Sequence, residues 1–167
     1  PWRFILHLHR NNIMTSEFVH LHNHSDYSLL DGAQQVQQLV NTIDDLNMDS
    51  LALTEHGNMF SVVPFYQKAK KAGINPIIGC ETYVAVGSRH DKKLQPGGGW
   101  GNNHLILLVQ NQIGYENLMK LVTAGYLEGF YYRPRIDMDL LEKHSEGLVC
   151  LSAVSYTHLT LPTNLRV

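Results

Sequence analysis

Residues 50–58 read SLALTEHGN, an apolar run that passes directly into a glutamate and a histidine. Short apolar runs bounded by polar residues predict buried strands, so we interpret Ser50 to Thr54 as a strand. Glu55 and His56 then stand at its carboxyl end. The pattern therefore places ionisable side chains where a strand passes into a loop.

The same arrangement occurs on both sides of this stretch. Asn75 to Cys80 predicts a strand that is followed by Glu81. Phe18 to Leu21 predicts a buried strand that runs into three histidines, His20, His22 and His24. Functional residues of α/β folds collect where the strands end, because the loops there are free to vary. We expect the ionisable side chains after these three strands to converge on one face.

The rest of the chain alternates between helical and strand patterns. Apolar residues at helical spacing predict helices around Val36 to Leu46, Pro64 to Ala72, Tyr115 to Tyr126 and Leu140 to Lys143. Further strands are predicted at Leu105 to Val109 and Leu148 to Leu151, with a glycine-rich loop from Gly87 to Asn103. Because the strands are continuously apolar, the pattern favours an α/β fold, a mainly parallel sheet or barrel covered by helices.

Composition limits the class of protein. The chain of 167 residues has room for one domain, and its formal net charge of -2 argues against a basic nucleic-acid-binding surface. No apolar run approaches the roughly 20 residues that span a bilayer. The two cysteines are too few for a disulfide framework. We therefore expect a cytoplasmic protein without membrane contact, in which the 10 histidines are the unusual feature.

Several of these histidines have the spacing of metal ligands. His22 and His24 can share a divalent ion, although a pair at this spacing is weak evidence by itself. Asp31, His56 and Glu81 add one nitrogen and two oxygen ligands. This mixture suits zinc, manganese or a mixed-metal hydrolase.

Two further residues have alternatives that the pattern leaves open. His104 stands at the start of the predicted strand that follows the glycine-rich loop. In a parallel sheet this is the end of the strand away from the other candidate ligands, unless the loop returns the chain across the face that carries them. Glu55 either accepts a proton from an imidazole, as a partner behind the metal ligands, or is an exposed carboxylate in a loop.

A site of this composition predicts phosphoester hydrolysis. Metal ions held by histidine and carboxylate lower the pKa of a bound water and neutralise charge on a phosphoryl group. The sequence contains no Walker-type loop, no G-x-S-x-G elbow and no dinucleotide fingerprint. The commoner nucleotide and acyl chemistries therefore have no support in it.

Four short motifs resemble the metal-binding motifs of the polymerase and histidinol phosphatase (PHP) domain family. They are His22 to Ser25, Leu53 to Asn58, Gly79 to Glu81 and Asn103 to Leu105. The stretches YSLLDGA (27–33), GYENLMKL (114–121) and GFYYRPRID (129–137) are similar to the amino-terminal PHP domain of bacterial DNA polymerase III alpha subunits. This resemblance runs from about Met14 to Ala153.

The resemblance implies a fold, a metal centre and a set of ligands. The fold would be a distorted β/α barrel related to the TIM barrel, with a trinuclear centre of zinc, manganese or magnesium. Its ligands would be His22, His24, Asp31, His56, Glu81 and His104. Glu55 stands where the family often has aspartate, which implies a supporting role behind the ligands.

The sequence also departs from the family pattern. Val154 follows Leu151-Ser152-Ala153 where similar proteins have a cysteine ligand, and the later Asp-x-His ligands are not found. We expect residues 1–13 to be a non-native leader and residues 154–167 a foreign tail. Residues 14–153 would then form a partial PHP barrel, poorly stable and at best weakly active when isolated.

The leading functional interpretation is an amino-terminal fragment of a replicative DNA polymerase. Its PHP domain would act as a 3'-5' exonuclease or a pyrophosphatase, or as a scaffold for a proofreading exonuclease subunit. Polymerase activity with magnesium, binding of DNA and nucleotides, and contact with the sliding clamp would belong to other domains. The alternatives are a stand-alone phosphatase of the histidinol phosphatase type and a metal-stabilised interaction module.

Overall fold

The computed structural model describes residues 18–93 and 102–152, without the side chain of Ser152. The elements are α1 (Val36–Asp45), β1 (Ser50–His56), α2 (Val62–Ala72), β2 (Asn75–Ala85), β3 (Asn102–Val109), α3 (Gln112–Leu127), β4 (Arg135–Ile136), α4 (Met138–Lys143) and β5 (Leu148–Ser152). The expected leader and tail, and residues 94–101 of the predicted loop, lie outside the described residues. Within that range, no helix has the length and apolar character needed to span a bilayer.

The strands form one open mixed sheet, which confirms the predicted α/β class. The strand order is β1-β2-β3-β5. The short strand β4 pairs with Tyr83 and Val84 of β2, past the point where the pairing with β1 ends. The strands β1 and β4 run parallel to β2, but β3 runs antiparallel to both β2 and β5. The prediction of a mainly parallel sheet is therefore wrong at β3. A parallel neighbour needs a long crossover, usually through a helix, and the described residues between β2 and β3 contain no helix.

The segment before α1 also differs from its prediction. Phe18 to Leu21 is not a buried strand, and the side chain of Phe18 is 59% exposed. The segment is extended and lies along β1, where Ala52 N donates to His20 O at 3.0 Å and Thr54 N donates to Asn23 O at 2.9 Å. These bonds bring the histidine segment alongside the strand that ends in His56.

The helices within residues 18–93 and 102–152 cover one face of the sheet. Leu51 and Leu53 of β1 pack with the apolar sides of α1 and α2. Cys80 of β2 and Leu107 of β3 pack with α3 and α4 on the same face. Side chains alternate along a strand, so the residues between these positions point to the opposite face. That face carries the candidate site.

A network of hydrogen bonds fixes the chain around β4. The buried guanidinium of Arg135 donates to the carbonyl oxygens of Gly129, Arg89 and Asp91 at 2.9–3.0 Å. The guanidinium of Arg89 contacts both carboxylate oxygens of Asp137 at 3.0 Å. The same carboxylate caps α4 by accepting from Leu140 N at 3.1 Å. Helix α4 and the chain after β2 therefore share one anchor.

This anchor predicts the stability of an Asp137→Ala variant. The substitution removes a helix cap and leaves Arg89 without a buried partner, so we expect a loss of about 1–3 kcal/mol in the free energy of unfolding. Asp139→Ala, in the exposed first turn of the same helix, should cost less than about 1 kcal/mol. Urea denaturation at pH 7 measures both.

The contribution of Asp137 should also depend on pH. Burial alone raises the pKa of this carboxyl, but bonds from the backbone of Arg89 and Leu140 and from the Arg89 guanidinium outweigh burial and lower it. A lowered pKa means that the stabilisation is present above the ordinary value of 3.8 and is lost as pH falls below it. The difference between wild type and Asp137→Ala should therefore shrink below that pH, and an unchanged difference would contradict this account.

Candidate metal centre

The structure brings together all six residues that were predicted as metal ligands. His22 and His24 come from the segment beside β1, Asp31 from the turn that follows, and the others from β1, β2 and β3: His56, Glu81 and His104. The register pairs His56 with Glu81 and Tyr83 with His104. Because β3 runs in the opposite direction, its first residues lie at the edge where β1 ends. This reversal explains why His104 belongs to the cluster.

The carboxylate of Glu81 lies at the centre of the cluster. Its Oε2 is 2.7 Å from Nε2 of His22 and 2.7 Å from Nε2 of His24. Its Oε1 is 2.7 Å from Nδ1 of His104. The side chain of Glu81 is only 6% exposed. One buried carboxylate therefore connects three imidazoles from two parts of the chain.

Asp31 forms the outer side of the cluster. Its Oδ2 lies 2.9 Å from Nδ1 of His56 and 3.1 Å from Nδ1 of His24. If Nδ1 of His56 donates its proton to Asp31, the lone pair of that imidazole is on Nε2. This Nε2 atom is buried, lies 4.0 Å from Oε1 of Glu81, and has no hydrogen-bond partner within residues 18–93 and 102–152. A buried lone pair without a partner is the feature that a bound cation would satisfy.

The cluster also shifts the pKa values of its members. Burial alone raises the pKa of Glu81, but hydrogen bonds from His104, His24 and His22 outweigh it and hold the pKa well below its usual range. The hydrogen bond to Glu81 raises the pKa of His24. Burial lowers the pKa of His56, although Asp31 opposes that effect. His56 is therefore neutral at pH 7 and available as a ligand.

The donor atoms form three overlapping groups that have the composition of metal sites. They are His22, His24 and Glu81; His24, Asp31 and His56; and His56, Glu81 and His104. Within each group the ligand atoms lie within 4.8 Å of one another, and each group shares one residue with each of the others. Imidazole nitrogen and carboxylate oxygen suit zinc and manganese. The residues present therefore fit the divalent metals that were predicted.

Glu55 has a different position from the expected one. It pairs with Cys80, so it lies on the opposite face of β1 from His56, and it is 1% exposed. Its carboxylate accepts from Ser25 N at 3.1 Å and from the hydroxyls of Ser25 and Ser28. Glu55 therefore contacts no imidazole among the described residues, because its side chain lies on the face of β1 opposite His56, and it is not an exposed loop carboxylate either.

The two serines are functional residues that sequence reasoning missed. The hydroxyl of Ser28 accepts from His56 N at 2.9 Å, so Glu55 holds His56 and the loop before Asp31 together. Both serines lie in motifs that carry the family resemblance, His22 to Ser25 and YSLLDGA (27–33), but no role was assigned to them because a serine in a turn is usually exposed. His20 was expected to converge with the other histidines, but its side chain is exposed and its ring lies against Phe18.

A cavity of about 640 Å³ opens beside the cluster. Its lining combines Asp31, His56 and His104 with residues that were not predicted to belong to the site, Leu30, Tyr83, Asn102, Tyr132 and Arg133. The ring of Tyr83 stacks on His56, with 4.6 Å between the ring centres and 12° between the planes. Tyr132 and Arg133 belong to the GFYYRPRID stretch (129–137), which carries the family resemblance but was not predicted to contribute to the site. The cavity gives a ligand access to the cluster.

Comparison with known proteins identifies relatives over most of the chain. The family described as "PHP domain" matches residues 20–166. DNA polymerase III subunit alpha of Borreliella burgdorferi is 57% identical over 138 residues, which is 83% of this chain and 12% of that protein. The Treponema pallidum subunit is 52% identical over 136 residues, 81% of this chain and 12% of that protein. The chain therefore spans about 12% of the length of these relatives.

The chain also has matches among solved structures. An amidohydrolase from Chromobacterium violaceum, with bound sulfate and no metal, gives a TM-score of 0.45 at 21% identity. The match covers 64% of this chain and 32% of that one.

The turn that carries Asp31 gives a prediction at Gly32. A Cβ atom there would overlap the backbone carbonyl oxygen of Ser25, which accepts from Ser28 N at 2.9 Å. We expect Gly32→Ala to displace Asp31 and Ser28, to lower the free energy of unfolding by about 1–3 kcal/mol, and to weaken Mn²⁺ binding.

Gly87→Ala is the matched control for this variant. A Cβ atom at Gly87 would have as its nearest neighbour an oxygen of Asp91 at 3.7 Å, an ordinary contact. Thermal unfolding and Mn²⁺ titration of both variants measure the effect. Equal behaviour of the two variants would show that the close approach at Gly32 does not hold the site.

Proposed function

This chain belongs to the PHP-domain family, and from that premise we propose that its histidine and carboxylate cluster binds divalent metal ions and hydrolyses phosphoesters. One observation carries the proposal. Three donor groups meet through three shared residues, Glu81, His24 and His56. The chemistry of the donors, four imidazoles and two carboxylates, favours zinc or manganese over magnesium.

The sharing of donors limits how many ions these residues hold at once. A neutral imidazole has one lone pair and serves one ion, whereas a carboxylate can bridge two. The groups that contain Glu81 use all four histidines. The third group, with Asp31, shares both its histidines with the other two. We therefore propose that the described residues would hold two ions, with Glu81 as a ligand common to both, while a third ion would need ligands from elsewhere.

The protein residues then hold and orient the site. Divalent ions in such a site lower the pKa of bound water and neutralise phosphoryl charge. In the two-site arrangement Asp31 would not be a ligand. It would accept a hydrogen bond from Nδ1 of His56 and so fix the tautomer that leaves Nε2 for the metal. The ring of Tyr83 stacks on His56 and restricts its orientation. Glu55 and Ser28 hold the His56 backbone.

We propose that the chain is the PHP region of a bacterial replicative DNA polymerase III alpha subunit. Identities of 57% and 52% to two such subunits support this over a stand-alone histidinol phosphatase. The protein would then act in the cytoplasm. Polymerase activity with magnesium, DNA and nucleotide binding, and contact with the sliding clamp and a proofreading exonuclease subunit would belong to the parent subunit. Within that subunit, the PHP site would be the phosphoesterase.

Substitution of His22 and His24 together tests the proposed activity. In the full-length parent subunit, replacing both by alanine removes two of the three ligands of one site. We expect Mn²⁺-dependent hydrolysis of end-labelled single-stranded DNA to fall at least about 100-fold, with DNA polymerase activity retained. Metal content, measured by mass spectrometry, should fall with it.

His20→Ala is the control, because His20 lies in the same segment but outside the cluster. It should leave both the metal content and hydrolysis unchanged. Loss of folding in the double variant, followed by circular dichroism, would instead support a structural role for the metal. Unchanged hydrolysis in a folded double variant would contradict the proposed function.

A further inference from the structure

Arg133 is a cation at the cavity, and none of the described residues is its acidic partner. Among residues 18–93 and 102–152, its side chain forms no ion pair or hydrogen bond, and its guanidinium carbon lies 5.8 Å from the centre of the Tyr83 ring. Tyr83 in turn stacks on His56. The charge of Arg133 is therefore held one aromatic ring away from the cluster, facing the same cavity.

The backbone around Arg133 is held in place. Tyr131 N donates to Arg133 O at 3.1 Å across a tight turn, and Tyr132 within the turn has a left-handed backbone with φ of 59°. Arg135, two residues further along, is buried and donates to three carbonyl oxygens. Arg133 thus follows a turn and precedes an anchor. A cationic residue whose backbone is already fixed loses less conformational entropy on binding an anion than one in a mobile loop.

The other residues of the cavity indicate what that anion carries. Among the described residues the buried side-chain oxygen of Asn102 has no hydrogen-bond partner, and Tyr132, which is 58% exposed, lines the cavity. The Asn102 oxygen is a hydrogen-bond acceptor, so it cannot bind the acceptor oxygens of inorganic phosphate or pyrophosphate. An amide and an aromatic ring suit the polar edge and the face of a nucleobase. A cavity of about 640 Å³ has room for a nucleotide.

We propose that Arg133 binds the phosphate of a nucleoside monophosphate unit, whose base lies against Tyr132 and Asn102. This inference rests on the proposed phosphoesterase function and deepens it, because it selects a nucleotide ester rather than pyrophosphate as the substrate. Arg133 is then a substrate-binding residue that determines specificity. It does not bind the metal.

The test uses the full 167-residue chain in EDTA, so that the result does not depend on metal-supported activity. The probes are deoxyadenosine 5'-monophosphate and pyrophosphate, titrated by calorimetry. We expect the wild type to bind the nucleotide more tightly than pyrophosphate. Arg133→Gln should weaken nucleotide binding about tenfold or more, and Arg133→Lys less, since it keeps the charge but loses the fork of donors. Asn102→Ala should weaken nucleotide binding and leave pyrophosphate binding unchanged.

Lys71→Gln is the matched control. It removes one positive charge from the exposed end of α2, on the helix-covered face, and should bind the nucleotide as the wild type does. Circular dichroism checks that each variant is folded. Nucleotide binding by Arg133→Gln that equals the wild type would overturn the inference, and so would tighter binding of pyrophosphate than of the nucleotide.

A separate measurement distinguishes this inference from the function on which it rests. Mn²⁺ binding by Arg133→Gln in the absence of EDTA should match that of the wild type. If the wild type binds no Mn²⁺, the proposed function fails while the nucleotide titration still decides the role of Arg133. If both proteins bind Mn²⁺ and also bind nucleotide equally, the role of Arg133 fails and the proposed function stands.

Discussion

Both oxygens of the Glu81 carboxylate are engaged by imidazoles, and the rest of the site depends on this arrangement. His22 and His24 meet one oxygen and His104 meets the other. A carboxylate buried to this degree is costly unless positive charge or hydrogen-bond donors surround it. The imidazoles of His22, His24 and His104 supply these hydrogen-bond donors. A divalent ion would supply the same compensation and would release those imidazoles from donating, so the cluster that stabilises Glu81 is also suited to exchange protons for metal.

The reversed strand β3 makes that arrangement possible. Its pairing places His104 opposite Tyr83, two residues beyond Glu81. A parallel β3 would put His104 at the far edge of the sheet. Two backbone hydrogen bonds bring His22 and His24 to the same place. They run from Ala52 and Thr54 of β1 to His20 and Asn23, and so hold the histidine segment beside the strand that ends in His56.

These two features show what the sequence could and could not predict. Apolar runs and the residues after them identified β1, β2, His56 and Glu81, because an ionisable residue at a strand end has a local signature. The pattern left His104 open, and only the family resemblance assigned it to the cluster. The direction of β3 has no such signature, because an apolar run such as LILLV (105–109) is equally compatible with a parallel and an antiparallel strand. The roles of Glu55, Ser25 and Arg133 depend on contacts 27 or more residues away or on the cavity wall, which no local pattern encodes.

Glu81 would serve as a ligand common to two metal sites, and counting bound ions in a Glu81→Gln variant tests this role most directly. The amide keeps the shape of the side chain but cannot bridge two cations as a carboxylate does. The account predicts two Mn²⁺ ions per wild-type chain and the loss of both from Glu81→Gln, measured by mass spectrometry on protein that circular dichroism shows to be folded. Retention of both ions with wild-type affinity would contradict it.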